Sequence, residues 1–341
     1  MNEKEGTRRR KCKNMAEKSC LGGKREKLAY YLPFDASESP KWRKKEEITI
    51  SEMITKIMDY HKQWEEAKSA NLYSESLVER VQNQFLVKFI FHVNMEEEKG
   101  FGTFEETDEF LNSFYARGSN LQLPFSHNQQ ETLNLRKAYE HLLKKVKREE
   151  KESDYGLIES SLLKETHCIL VQGKPGSTAH TRGKFSNEKR YNDYTEERYY
   201  YQQPEDMEEA VDKLIQKYND MFDLCTKDGL KEFDDFYYLF KTCAWLLFEL
   251  LDLHPFGDGN GRLCRILCSY LLSKFTPFPT PVYNVWTDSS KTDYYEALVD
   301  AREQDLPNLC RHPTALTTMI IECSYYGWGK FLEALDENKS S

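Results

Sequence analysis

Several signatures that would assign a function at sight are missing from this chain. Its nine cysteines include no Cys-x-x-Cys pair, and Cys264 and Cys268, one helical turn apart, have no further Cys or His at zinc-finger spacing. That excludes the common structural zinc and dithiol-redox arrangements. No glycine-rich loop ends in Gly-Lys-Ser/Thr, which removes the P-loop. Excess positive charge is lacking as well: a net charge of −9 gives no general case for nucleic acid or an anionic membrane as partner. Arg8-Arg9-Arg10-Lys11 leads into no apolar stretch of the secretory kind, so reduced thiols and a cytoplasmic or nuclear location are expected. The run from Phe236 to Leu253 has nearly the length of a membrane span, but Lys241, Glu249 and Asp252 interrupt it. A buried core helix is the better expectation. No internal repeat is visible.

What is present is the material of a folded protein. The 341 residues are 39% hydrophobic and 13% aromatic, with 31% charged, enough for one large or two modest domains. Residues 1–46 are polar and aperiodic and read as a tail. A helical region follows over 47–155. Ile50, Met53, Ile54, Ile57 and Trp64 mark one apolar stripe, and Val78, Val81, Phe85, Phe89 and Ile90 a second. Thr103 and Glu106 form a capping box that opens a third helix. The spacing predicts further helices over about 129–150, from Leu157 to Leu170, after Pro204, over 234–253, over 262–274 and over 314–335. Residues 177–203, polar and aromatic, read as a loop or hairpin, and 336–341 as a frayed end.

The chemistry concentrates in His254-Pro255-Phe256-Gly257-Asp258-Gly259-Asn260-Gly261-Arg262-Leu263-Cys264-Arg265, set between two apolar runs of helical length. Pro255 disfavours the α region at His254, so the preceding helix should end at Leu253 with the imidazole at its tip. Gly257, Gly259 and Gly261 can take positive φ and admit a ligand close to the backbone. Successive N–H groups running into a new helix make an anion nest. Arg262 and Arg265, spaced i, i+3, oppose the helix dipole there, which suggests that an anion belongs between them. Asp258 suits Mg²⁺ held by one carboxylate plus phosphate oxygens, and His254 is the natural general base. An EF-hand fails on spacing, because counting from Asp258 puts Arg262 fifth and Ser269 twelfth. A plain Asp-Gly-Asn-Gly hairpin turn sits poorly between helix-length flanks.

These twelve residues match in full the signature H-x-F-x-[D/E]-G-N-G-R-x-x-R, and the chain thereby resembles the Fic (filamentation induced by cAMP) family. The resemblance implies an all-α Fic-type bundle with a small β-hairpin flap, a catalytic core over 156–335, and transfer of AMP from Mg-ATP to a Ser, Thr or Tyr hydroxyl of a target protein. It assigns His254 as base, Asp258 to the metal, and Gly259, Asn260, Gly261, Arg262 and Arg265 to the phosphates. Tyr295, in Asp293-Tyr294-Tyr295-Glu296-Ala297-Leu298, matches the Tyr that contacts the adenine. Arg302 stands where some relatives carry a base-touching Asn. His167 occupies the place of a structural His.

Two regions depart from the family pattern. Val93-Asn94-Met95-Glu96-Glu97-Glu98 resembles the inhibitory helix motif [S/T]-x-x-x-E-[G/N], whose Glu pairs with the second motif Arg and blocks ATP. Alignment on Asn94 selects Glu97; alignment on the later Thr-x-x-Glu selects Glu98. Val93, Glu96 and Glu98 are not the family residues. The flap, which holds the target segment by β-augmentation, usually shows G-x-Y/F-R. Here Gly183-Lys184-Phe185-Ser186 lacks the Arg, leaving Arg182 or Arg190 as substitutes. Homodimers are common in the family, and nothing here resembles the membrane anchor or helical repeats of some animal relatives. The same site in relatives removes AMP or transfers UMP, phosphocholine or phosphate, and a nucleotide-sensing module without turnover is a further alternative.

Overall fold

The computed structural model describes residues 40, 42–43, 48–117, 124–149, 157–173, 181–192, 199–226, 229–303 and 313–339. Among them the chain is a helical bundle with one two-stranded hairpin, as the sequence predicts. In order these are α1 (Ile50–Ser69), α2 (Glu75–Met95), α3 (Phe104–Arg117), α4 (His127–Glu149), α5 (Ser160–Leu170), β1 (Tyr191–Asn192), β2 (Tyr199–Tyr200), α6 (Met207–Thr226), α7 (Phe233–Leu253), α8 (Asn260–Leu272), α9 (Lys291–Glu303) and α10 (Thr314–Lys339). The last helix thus runs past the expected fraying point. Most of the tail assigned to 1–46 lies outside the described residues. Trp42 and Arg43 do not fit that expectation, since both bond the buried Glu322 of α10.

Local chemistry sets the helix starts. Thr49 caps α1 in a reciprocal box with Glu52, Ser74 accepts from Leu77 N–H at the start of α2, and Thr103 pairs with Glu106 ahead of α3. Each satisfies N–H groups that the first helical turn leaves without partners.

Two helices form the centre. α7 is apolar nearly all round and packs against α1, α6, α8 and α10, while α8 packs against α2, α4, α5 and α7. A helix that is apolar on every face must be covered on every face. Trp245, Phe248, Leu267 and Tyr270 are each at most 2% exposed. The charges that interrupt the long apolar run do not place it in a membrane, and no helix among the described residues is long and apolar enough to cross one. The twelve-residue motif is the junction of these two central helices, so its backbone is held at both ends by the core.

Candidate active site at the junction of the two central helices

α7 stops where Pro255 requires. His254 takes the left-handed conformation (φ 51°, ψ 55°) and its N–H still bonds Leu250 C=O. For a residue other than glycine this region is strained by about 1 kcal/mol or more, and the surroundings hold it there. Arg190 Nη1–H donates to His254 C=O at 2.7 Å and also to Phe256 C=O, and Ser186 N–H donates to Pro255 C=O. Of the two substitutes suggested for the missing flap arginine, Arg190 is bonded to the loop in this way.

The imidazole of His254 lies against the ring of Tyr201, centroids 3.9 Å apart and planes 17° from parallel. Its Nδ1 faces Leu251 C=O at 3.3 Å. A carbonyl only accepts, so the proton sits on Nδ1 and the lone pair on Nε2. Burial, with Arg190 and Arg302 adding to it, pushes the imidazole down to about 4 against the opposing Leu251 bond and Asp258 charge. The ring is neutral at physiological pH.

Phe256 is fully buried and stacks on His167 at 3.9 Å. Gly183 N–H donates to His167 Nδ1, so Nε2 carries the proton and donates to Asp258 C=O, each at 3.0 Å. His167 thus ties the base of the flap to the loop, in the hydrogen-bonding role its position suggests. Asn260 binds both backbone groups of Phe256, through Oδ1 at 3.0 Å and Nδ2 at 2.8 Å. Its side chain is committed to shaping the loop. Among the three motif glycines only Gly259 takes positive φ (77°).

Gly261 leaves room for a carboxylate over the start of α8. A Cβ there would sit 2.4 Å from Glu97 Oε1. That carboxylate reaches in from the end of α2 and pairs with Arg265 Nη1 at 2.5 Å. Glu98, the alternative from the second alignment, is exposed, at φ 54°. Arg265 is 3% exposed, with its guanidinium centre 5.4 Å from the ring of Tyr294 and 5.9 Å from that of Tyr283. Its Nε is buried with no hydrogen-bond partner, a donor left over beside the nest.

Arg262 differs from the expectation that it flanks an anion with Arg265. It is 2% exposed and turns into the bundle, where it bonds Glu131 of α4 and Asn94 Oδ1 of α2 at 3.4 Å. The i, i+3 spacing holds, but each arginine has its own carboxylate. Asp258 is exposed and its Oδ1 accepts from Gly259 N–H at 2.7 Å. No group of three or more His, Cys, Asp or Glu among the described residues could cage a metal. A single exposed carboxylate at the start of a helix fits Mg²⁺, whose remaining ligands are typically phosphate oxygens and water. Tyr295 is half-buried on α9, 5.8 Å from the ring of Tyr294, which links it to the Arg265 end of the site.

Residues that sequence reasoning missed include Tyr201, Glu131 and Asp252. Asp252 is 0% exposed and accepts from Tyr199, Gln202 and Arg302. The available signal was the carboxylate itself, in the last turn of a largely apolar helix.

Residues 157–272 match the Fic/DOC family, so the chain contains a Fic-type domain. Over 80 residues it is 38% identical to a Fido domain-containing protein of Dictyostelium discoideum, covering 23% of this chain and 49% of that one. Over 119 residues it is 32% identical to the protein adenylyltransferase Fic of Nematostella vectensis, covering 35% of this chain and 24% of that one. The matches therefore span half or less of those relatives. The fold is similar to the crystal structure of a Fic domain containing signaling protein from Bacteroides thetaiotaomicron (TM-score 0.60, 16% identity, 84% of this chain and 98% of that one).

Proposed function

We propose that the chain is a protein adenylyltransferase: it moves AMP from Mg-ATP to a Ser, Thr or Tyr hydroxyl of another protein, and Glu97 restrains it. The observation that carries this reading is the Glu97 carboxylate lodged against Gly261 and Arg265 at the start of α8. A carboxylate already occupies the space over Gly261 at the start of a helix and pairs with a buried guanidinium, on the same loop that carries the exposed Asp258 and the imidazole of His254. A phosphate suits the same surroundings better, since it offers more acceptor oxygens and more charge. Resemblance to a named adenylyltransferase supports the choice of AMP.

In this reading His254 Nε2 takes the proton of the acceptor hydroxyl as its oxygen attacks the α-phosphorus. The bond from that phosphorus to the bridging oxygen breaks, pyrophosphate leaves, and the imidazolium returns its proton to water. The negative charge of the polyphosphate raises the His254 pKa toward the working pH while substrate is bound. Arg265, released from Glu97, holds phosphate oxygens, and backbone N–H groups at Gly259–Gly261 complete the cradle. Asp258 would hold Mg²⁺, which neutralises phosphate charge when bound. Tyr295 is proposed to face the adenine. Most of the rate gain then comes from positioning and fixed charge.

A second reading, removal of AMP, uses the same groups with Glu97, released from Arg265, orienting a water. Peptide mass spectrometry of a cell lysate treated with Mg-ATP and the Glu97→Gly protein distinguishes the two. New AMP-bearing hydroxyl peptides support transfer. Loss of pre-existing ones with wild type, and no new ones with either protein, supports removal.

A further inference from the structure

The base is held by more than the loop that contains it. The Nδ1 contact of His254 is 3.3 Å long, beyond the usual 2.9–3.0 Å, and leaves the ring weakly fixed about its own axis. What lies flat on the ring is Tyr201. Tyr201 N–H continues the hairpin by donating to Arg190 C=O at 3.1 Å. On either side of it, Tyr199 Oη–H donates to Asp252 Oδ1 and Gln202 Nε2–H to Asp252 Oδ2 at 2.7 Å. Gln202 N–H also donates to Asp252 C=O at 3.1 Å. From α9, Arg302 Nε–H donates to Oδ1 at 3.2 Å, with its guanidinium 3.9 Å above Tyr199 and 5.9 Å from Tyr201.

A buried carboxylate in the last turn of a helix stands at the negative end of the dipole and loses its hydration. Its bonds lead to the hairpin stem and to Arg302, and the stem carries the ring that rests on the base. We propose that Asp252 is a positioning residue for His254: by gripping Tyr199, Gln202 and Arg302 it presses Tyr201 onto the imidazole and fixes the plane of that ring. The inference rests on His254 acting as the base, and it gives Arg302 a role in place of a nucleotide contact.

The test is carbon-13 NMR of protein labelled at histidine Cε1, with His254 assigned through His254→Ala, followed by kinetics. Stacking places the imidazole protons in the ring current of Tyr201, so Tyr201→Leu shifts the His254 signal and Tyr201→Phe leaves it in place. Asp252→Asn keeps the size but puts an amide where Gln202 and Arg302 need an acceptor, and is expected to move the signal toward its Tyr201→Leu position. Tyr199→Phe, which removes one donor, gives a smaller move the same way and serves if Asp252→Asn fails to fold. A His254 signal that ignores both Asp252→Asn and Tyr199→Phe overturns the proposal, as does one that ignores Tyr201→Leu. In a Glu97→Gly background, Asp252→Asn should lower kcat for AMP transfer about 10-fold with KM for ATP within about twofold, as loss of alignment predicts. Tyr201→Phe should retain kcat; equal impairment of Tyr201→Phe and Tyr201→Leu counts against the proposal. A parent with no transfer refutes the adenylyltransferase reading, while the NMR comparison still decides this one.

Discussion

Replacing Glu97 with Gly removes one carboxylate and should have two effects of opposite sign. The carboxylate meets a guanidinium that is 4% exposed, but is itself 36% exposed. Exposed pairs contribute about 0–1 kcal/mol and charge-assisted bonds out of solvent about 1.5–3 kcal/mol. A half-open pair with one buried partner falls between, at about 1–2 kcal/mol. Where ATP phosphates and Glu97 compete for Arg265 and the space over Gly261, that energy sets the fraction of molecules able to bind productively. By the usual conversion it corresponds to about a 5- to 30-fold lower apparent Kd for Mg-ATP in Glu97→Gly. The ligand-free variant should melt lower than wild type, because Arg265 is left buried without its partner, and Mg-ATP should recover more of that loss than it adds to wild type. Isothermal titration gives the affinity and differential scanning the stability. Equal Mg-ATP affinity in wild type, Glu97→Gly and Glu97→Gln would refute the competition, and a 5- to 30-fold gain confined to Glu98→Gly would assign it to the wrong glutamate.

Three further outcomes are expected. Glu131→Gln leaves Arg262 buried without its counter-charge and should destabilise by about 3 kcal/mol or more in chemical denaturation, with less effect on ATP affinity than Arg265→Ala, because Arg262 faces Glu131 and Asn94. Gly259→Ala forces a side chain to φ 77° and should destabilise by about 1–2 kcal/mol, read in the same denaturation experiment. Burial holds His254 at about 4 and His92 at about 3, both below the unfolded value near 6.5. The unfolded chain therefore binds more protons, so stability contributed by the neutral rings is complete above pH 6.5 and is lost as pH falls through that value toward 3. Urea midpoints measured from pH 8 to pH 4 should fall on the acid side, and His92→Gln should flatten part of that slope.

The twelve-residue loop could be read because its parts adjoin in sequence. Pro255 after His254 and an apolar run on each side are enough to place a base at one helix end and an anion nest at the next. Partners that arrive from elsewhere were not legible in that way. Arg262 and Arg265 are chemically alike, and nothing local tells which faces Glu131, 131 positions away, and which faces Glu97, 168 positions away. Glu97 emerged only by resemblance, and the choice over Glu98 needed the turn at the end of α2, where Glu98 takes positive φ and points outward. The acceptor role of Asp252 was hidden for a related reason: its donors sit on a hairpin and on α9, and the sequence displays only a charge out of place. Asn260 was legible only in part, since the motif alone does not tell that its side chain is spent on Phe256.

The most direct test of the account is label transfer from ATP carrying ³²P at the α position, compared with the γ position, to proteins of a cell lysate. The proteins to compare are wild type, Glu97→Gly and Glu97→Gly with His254→Ala. The account predicts α-label on hydroxyl-bearing targets, raised by Glu97→Gly, absent with γ-label and reduced by at least ~10²-fold on loss of the base. Transfer of γ-label, or α-label that survives His254→Ala undiminished, would contradict it.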